Sequence, residues 1–391
     1  MAATIARTRP ETRSATDALL GGLPVDRFLR RVWQKEALLL RGAFAGFREP
    51  LTAANLFALA RRDDVESRLV VRAGSRWSLE HGPFGRADFA ALPERNWTLL
   101  VQGVNLVSAA GDALLRRFAF LPYARLDDLM VSYAAPGGGV GAHVDSYDVF
   151  LLQGMGRRRW RYGRQEDMTL RPRLPLKILQ RFAPTNADVL VAGDMLYLPP
   201  HYAHDGEAID PCMTYSIGFR APSTEELARA FLDFLHDELE LPGRYADPDL
   251  TPSREPAEIG AAMRRRCTSM LKRIRWNRDT VERFLGCWLS EPKASVAFDP
   301  PDAPLSRAAF GARAAKRGIR LDIRTQLLYD PSHLFINGSA LRWPEGGAGR
   351  TLRQLANDRT LTPRAARSAH PKASTILYTW YRDGYLHTEP A

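Results

Sequence analysis

His143 and Asp145 stand two residues apart in GGGVGAHVDSYDVFLLQGMGRRRWRYG, residues 137–163. On a strand, that spacing sends both side chains to one face. A histidine and a carboxylate so placed are two of the three ligands of a facial triad, the set that holds non-haem iron(II) and leaves three metal positions open. The third ligand should come from another strand packed alongside. GDMLYLPPHYAHDG, residues 193–206, offers His201 and His204, and spacing does not choose between them. The chain has 8 histidines and 3 cysteines in all. Cys212, Cys267 and Cys287 are odd in number and far apart, so they supply neither a disulfide framework nor a thiolate cluster, and they suit a reducing compartment. A metal site here must be built from histidine and carboxylate.

A His-x-Asp tripeptide alone is common by chance. Its context is what gives it meaning: a Gly-rich turn before it, a β-rich region around it, a second histidine cluster after a Gly-Asp turn, and cations downstream. A cosubstrate such as 2-oxoglutarate chelates iron through its 1-carboxylate and 2-oxo group, which leaves its far carboxylate buried. A buried carboxylate needs a cationic, preferably bidentate, partner. Arg157, Arg158 and Arg159 are available, and strand alternation sends Arg158 to the opposite face from its neighbours. Three arginines in a row also read as a solvated basic stretch. One of them facing a metal would make the run functional.

Several elements must position these groups. Residues 24–44 read as an amphipathic helix with Phe28, Leu29 and Val32 on its apolar face, running into a strand at Leu38–Leu40, and Thr52 caps a second helix. From Leu69 to Ile217 short β-rich runs recur between turn residues: RLVVRAG, NWTLLVQGV, LMVSYAA, DVFLLQG, RRWRYG, DVLVAGDMLYLPP and MTYSIGF. That texture indicates a sandwich or barrel. After Pro222 the texture is helical. Ser223 and Glu226 form a capping box ahead of Leu227, Phe231, Phe234 and Leu235. A second helix places Ile259, Met263, Cys267 and Leu271 on one stripe, and a third starts at Asp279 and Glu282. Such stripes suit inter-domain packing or a dimer interface. The last segment holds a helix at 307–317, a hairpin turning at Asn337-Gly338, and a final helix with Ile376, Leu377, Trp380 and Tyr381 that stops at Gly384. Helices with a hairpin at this size resemble a winged helix.

HVDSYDVFLLQGMGRRRWRYG, GDMLYLPP with its following histidines, MTYSIGFRAP, and FLRRVWQKEALLLRGAF at 28–44 resemble the JmjC-type ribosomal oxygenases. The likeness is greatest to the bacterial RoxA/YcfD class, which hydroxylates an arginine of large-subunit ribosomal protein L-sixteen. The resemblance is dense over 24–222 and rests on domain order beyond. It implies an α+β chain: an N-terminal arm (1–23), a double-stranded β-helix of cupin/JmjC jelly-roll type (24–222), a helical dimerisation domain (223–300) and a winged-helix-like domain (301–391). It assigns Fe(II) to His143, Asp145 and His204, preferring His204 over His201, which falls where the family has glycine. It matches Arg158 to the anchor of the far carboxylate of 2-oxoglutarate, and Ser132 to a position that hydrogen-bonds that cosubstrate. Thr214 stands where asparagine is expected. The implied reaction uses O2 and 2-oxoglutarate as cosubstrates and hydroxylates a side-chain β-carbon. A guanidinium substrate would need carboxylate or aromatic walls, for which Asp148, Tyr147 and Tyr133 are sequence-level candidates.

The implied partners are a ribosomal protein substrate and a second copy of the chain, in the cytoplasm. Two other readings compete: the same chemistry on a histidine of another ribosomal protein, and a nucleic-acid-binding regulator with a vestigial cupin domain. The excess of 55 Lys+Arg over 44 Asp+Glu is compatible with ribosome or RNA association, or with a plainly basic surface. The final helix carries Trp380 and Tyr381 with few cations, so no specific DNA binding is expected. No apolar run approaches the ~20 residues of a membrane span, and none is expected.

Overall fold

In the computed structural model, residues 3–4, 19–44, 46–344 and 346–388 are described. Most of the expected arm, 1–23, lies outside them. The strands are β1 (Ala3–Thr4), β2 (Leu38–Leu40), β3 (Ser67–Ala73), β4 (Arg76–His81), β5 (Trp97–Val101), β6 (Leu126–Ala134), β7 (His143–Val144), β8 (Val149–Gln153), β9 (Arg158–Arg164), β10 (Asn186–Leu190), β11 (Met195–Leu198), β12 (Tyr202–Ala208) and β13 (Cys212–Phe219). One sheet has nine strands in the order β1-β2-β11-β8-β13-β6-β5-β3-β4, and a second has four in the order β10-β9-β12-β7. Along the chain from β6 to β13 the strands pass back and forth between these sheets, which is the expected double-stranded β-helix.

The central strands of the large sheet are buried on both faces, which explains why they read as unbroken apolar runs rather than alternating ones. In β8, every residue of VFLLQ is buried. Phe150 and Leu152 enter a core shared with Phe28, Val32, Leu56 and Phe118. Val149 and Leu151 face the other way, into a cluster with Trp160, Tyr162 and Leu190 of the small sheet. The helix Val25–Arg31 and the helix Ala53–Leu59 cover the outer face, and Thr52 caps the latter by accepting from the Asn55 N–H at 3.2 Å.

Three local outcomes differ from the expectations. DVLVAGDMLYLPP is two strands, β10 and β11, on different sheets. Gly193, at φ 87°, lets the chain reverse between them, a conformation side-chain-bearing residues avoid. β4 and β12 carry too few apolar residues for the sequence pattern to mark them, and β12 holds one of the candidate ligands. Ile259 precedes the helix Ala261–Leu271 and is exposed, so the expected apolar stripe begins at Met263.

The chain divides into two compact units, residues 1–221, 292–325 and 350–391 in one, and 222–291 and 326–349 in the other. Besides the β-helix, the first holds the helices Arg307–Arg317 and Pro371–Arg382, the latter followed by Gly384 at φ 77°. The second holds the helices Thr224–Glu238, with its Ser223/Glu226 capping box, Ala261–Leu271 and Arg278–Ser290. Phe231, Phe234 and Phe284 pack together there. A hairpin, His333–Ile336 with Ser339–Arg342, turns at Asn337 (φ 48°) and Gly338 (φ 85°), the two positive angles that an Asn-Gly turn supplies. Among the described residues, no helix is long and apolar enough to cross a membrane.

Candidate metal centre and its cavity

β7 and β12 are antiparallel neighbours, with His204 directly opposite His143. Opposed residues share a face, and the two imidazole centroids are 4.2 Å apart. Asp145 lies one residue past the end of β7. Its carboxylate is 3.9 Å from His143 Nε2 and 3.7 Å from His204 Nε2. One donor atom from each of the three residues falls within 4.8 Å of the others. The backbone sets the tautomers. His143 Nδ1 is 2.9 Å from the Gly141 carbonyl and His204 Nδ1 is 3.1 Å from the Tyr202 carbonyl. A carbonyl only accepts, so each Nδ1 carries hydrogen and each ring turns its Nε2 to the shared space. Burial, reinforced by the neighbouring His143, pushes His204 down to about 4, which keeps it neutral and able to ligate. Two imidazoles and a carboxylate fit a divalent iron site.

His201 is not part of this group. It is exposed and sits at φ 68°. Tyr202 N–H bonds to the Pro199 carbonyl at 3.3 Å, so Pro199–Tyr202 is a β-turn with proline at its second position and His201 at the third, where a positive φ favours glycine. The turn, rather than any ligand role, accounts for the glycine expected there. His201→Gly is expected to raise stability by about 1 kcal/mol, read as a higher denaturation midpoint. A lower midpoint would mean that the imidazole has a role of its own.

The three donors open onto a cavity of about 440 Å³ between the two sheets. Arg158 emerges from β9 into it. It is buried while Arg157 and Arg159 are exposed, the alternation expected of a strand. Its Nη1 donates to Ser132 Oγ at 3.3 Å, which brings those two candidates together across the cavity. Its Nε and Nη2 are buried with no hydrogen-bond partner among the described residues. An unsatisfied guanidinium edge is costly, and a carboxylate arriving in the cavity would satisfy it. Trp160, two residues on, stacks under Arg158 at 5.7 Å and lines the same wall. A Cβ on Gly206 would meet the Trp160 ring at 2.7 Å, so the glycine makes room for the indole. Thr214 lies opposite Ser132 on the neighbouring strand, and its hydroxyl donates to Gln153 Oε1 at 3.1 Å.

Of the three suggested wall residues, Tyr147 lines the cavity. Asp148 is wholly buried elsewhere, accepting from the Tyr197 hydroxyl at 2.6 Å and from Gln34 Nε2 at 2.9 Å, and Tyr133 packs against Phe57 and Trp97. The acidic wall is instead Asp128, which the sequence reading missed. Asp128, Met130 and Ser132 occupy alternate positions of β6 and all line the cavity. Counting back by twos from Ser132 along LDDLMVSYA would have found it. Burial raises the Asp128 carboxyl above its usual range despite a nearby lysine. Its Oδ2 accepts from Gln102 Nε2 at 2.8 Å, while Oδ1 has no partner among the described residues. A Cβ on Gly218 would stand 3.5 Å from that Oδ1 and 3.9 Å from the Tyr147 ring. Without it, a slot remains between a carboxylate oxygen and the Tyr147 ring.

Comparison with known proteins shows two matched family models, a JmjC domain over residues 113–227 and a ROXA-like winged helix over 273–387. The chain is 40% identical over 281 residues to the ribosomal protein uL16 3-hydroxylase of Escherichia coli K12, covering 71% of this chain and 74% of that one. It is 38% identical over 204 residues to a probable ribosomal oxygenase of Haemophilus influenzae, covering 51% and 50% of the two chains. The crystal structure of E. coli YcfD superposes with a TM-score of 0.80 at 33% identity, over 93% of this chain and 98% of that one. A YcfD complex with cobalt and 2-oxoglutarate superposes at 0.77 with 33% identity, over 93% and 97%.

Proposed function

The chain belongs to the JmjC-type ribosomal oxygenases, and from that membership we propose that it is an Fe(II)- and 2-oxoglutarate-dependent hydroxylase of an arginine β-carbon in ribosomal protein L-sixteen. The observation that carries the reading is Arg158, a buried cation with unsatisfied donors in the cavity onto which a two-histidine, one-carboxylate set opens. That combination calls for a cosubstrate that chelates metal at one end and carries a carboxylate at the other.

In this reading His143, Asp145 and His204 hold the metal. Bound iron supplies the coupling of 2-oxoglutarate decarboxylation by O2, giving succinate and carbon dioxide, to hydroxylation of a substrate C–H bond. The remaining work is done by the chain. Arg158 anchors the far carboxylate of 2-oxoglutarate, and Ser132 steadies that guanidinium from the opposite sheet. Asp128 and Tyr147 receive the substrate's guanidinium, one by charge and one by its ring face. Holding that end sets which carbon faces the metal, and orientation of this kind is worth several orders of magnitude in rate.

The test is to incubate the anaerobically purified protein with Fe(II), 2-oxoglutarate, O2 and L-sixteen peptides, and then to map products by mass spectrometry. A +16 Da shift on an arginine is the expected result. Turnover only on a histidine peptide from another ribosomal protein, or no oxidised peptide, would overturn the arginine reading.

We also assign a homodimer in the cytoplasm to this protein. Leu232, Met263, Leu271 and Trp276, all in the helical unit, are exposed apolar side chains of the kind a second copy would cover, and solution mass decides the point. The division at 24–222, 223–300 and 301–391 remains our reading of the domains. Ribosome association of the basic surface is part of the same proposal.

A further inference from the structure

Lys293 follows the helix Arg278–Ser290 and belongs to the same compact unit as the β-helix. It does not line the cavity. Its Nζ stands 3.4 Å from Asp128 Oδ2 and 3.5 Å from Asp127 Oδ1. The Asp128 side chain is 6% exposed and that of Lys293 is 36%, so the ammonium reaches the carboxylate from the solvent side. On Oδ2 the lysine joins the Gln102 amide at 2.8 Å and the Gly103 N–H at 3.3 Å. All three donors therefore act on the oxygen turned away from the slot between Oδ1 and Tyr147.

We propose that Lys293 is a positioning residue for substrate recognition: from behind the cavity wall it keeps Asp128 ionised and fixes its orientation, leaving Oδ1 ready for an incoming guanidinium. This rests on the arginine-hydroxylase reading.

A carboxylate this deeply buried loses solvation, and burial is the leading influence raising Asp128. Lys293 is the leading influence in the opposite direction, while the adjacent Asp127 carboxylate adds to the rise. The other charged or titratable groups nearby do not replace the lysine. Arg220 sits 3.7 Å from Asp127, Arg68 donates to Gln102 Oε1 and Met130 Sδ, and Tyr147 presents a ring whose own hydroxyl is raised by burial. A protonated Asp128 would offer the substrate a neutral group instead of a counter-charge, so an ionised resting state is worth maintaining. Because Lys293 uses the far oxygen, the substrate need not displace it.

Without Lys293, Asp128 holds its proton to higher pH, and the carboxylate form that binds the guanidinium is lost first at the acid end. Lys293→Met, near in length and uncharged, is expected to raise the arginine-peptide KM about tenfold near neutral pH. The deficit should shrink as pH rises, with peptide kcat and the KM for 2-oxoglutarate within about twofold of the parent. Lys293→Arg should restore the parent profile. An unchanged KM, a fall in KM, or a rise that is the same at every pH and is not rescued by arginine would each overturn the proposal. A second measurement separates this from failure of the proposed function. Infrared titration of the buried carboxyl band, identified by its loss in Asp128→Asn, should show Asp128 protonating at higher pH in Lys293→Met whether or not any peptide is turned over. No movement of that band would refute the lysine's role even in an active enzyme. If the parent enzyme oxidises no arginine peptide but the band moves, it is the substrate reading that fails.

Discussion

Replacing His143 with alanine is expected to lower 2-oxoglutarate turnover by at least about a thousandfold, with and without peptide, and to abolish tight divalent-metal binding. His143 supplies one of three donors that lie within 4.8 Å of one another. Asp145 and His204 remain after its loss, but two ligands do not hold a metal against water in the way three do. The effect should not come from unfolding, because His143 is half-buried and its Nδ1 bonds only locally, to the Gly141 carbonyl two residues away. Cobalt(II) titration followed by visible absorption separates the two causes. The expected result is a folded variant, by circular dichroism and thermal midpoint, that gives no ligand-field spectrum. Normal cobalt affinity in the variant would show that the centre lies elsewhere, and the proposed function would go with it.

Arg158→Ala is expected to raise the KM for 2-oxoglutarate by about a hundredfold or more while leaving metal affinity close to the parent's. The reason is an asymmetry of burial. Arg158 is 5% exposed, and two of its nitrogens have no partner among the described residues, so a bound carboxylate would make its salt bridge out of bulk water. Breaking such a pair leaves the other charge buried and unpaired, a cost of roughly 2–5 kcal/mol. Arg158→Lys should fall between, since an ammonium restores charge but not the two-pronged geometry. Titration of 2-oxoglutarate into the cobalt-loaded protein reads this directly. An alanine variant that binds 2-oxoglutarate as the parent does would remove Arg158 from the site. Loss of metal and cosubstrate together would show that Arg158 supports the fold of the centre rather than the far carboxylate.

The two variants also mark how differently the two halves of the site were legible. Two-residue spacing put His143 and Asp145 on one side of the chain, although the strand itself stops at Val144. Alternation singled out Arg158 from its neighbours, and the burial of β9 follows it from Arg158 to Tyr162. Those are local, period-two statements, and a strand obeys them wherever it sits. The Asn337-Gly338 hairpin and the Thr52 and Ser223 caps were readable for the same reason: each depends on the backbone needs of a few consecutive residues.

The choice between His201 and His204 was of another kind. Both lie in one short segment, and what separates them is that Pro199–Tyr202 is a turn while His204, on β12, pairs with His143 of β7. Strand pairing brings together residues some sixty positions apart, and nothing in either segment alone states the register. Family resemblance preferred His204 where spacing left both open. Asp128 went unread because its inward direction matters only once β6 and the small sheet enclose a common space, and Lys293 because its partner lies far away in sequence. Residue chemistry and strand periodicity in the sequence thus determined that a histidine and a carboxylate share one side of the chain, that Arg158 points inward and that the scaffold is β-rich. Only the tertiary structure shows that His204 rather than His201 stands beside His143 and Asp145, that Asp128 lines the cavity and that Lys293 lies behind it. Those depend on inter-strand register and on burial, properties of the packed sheets that no single segment carries.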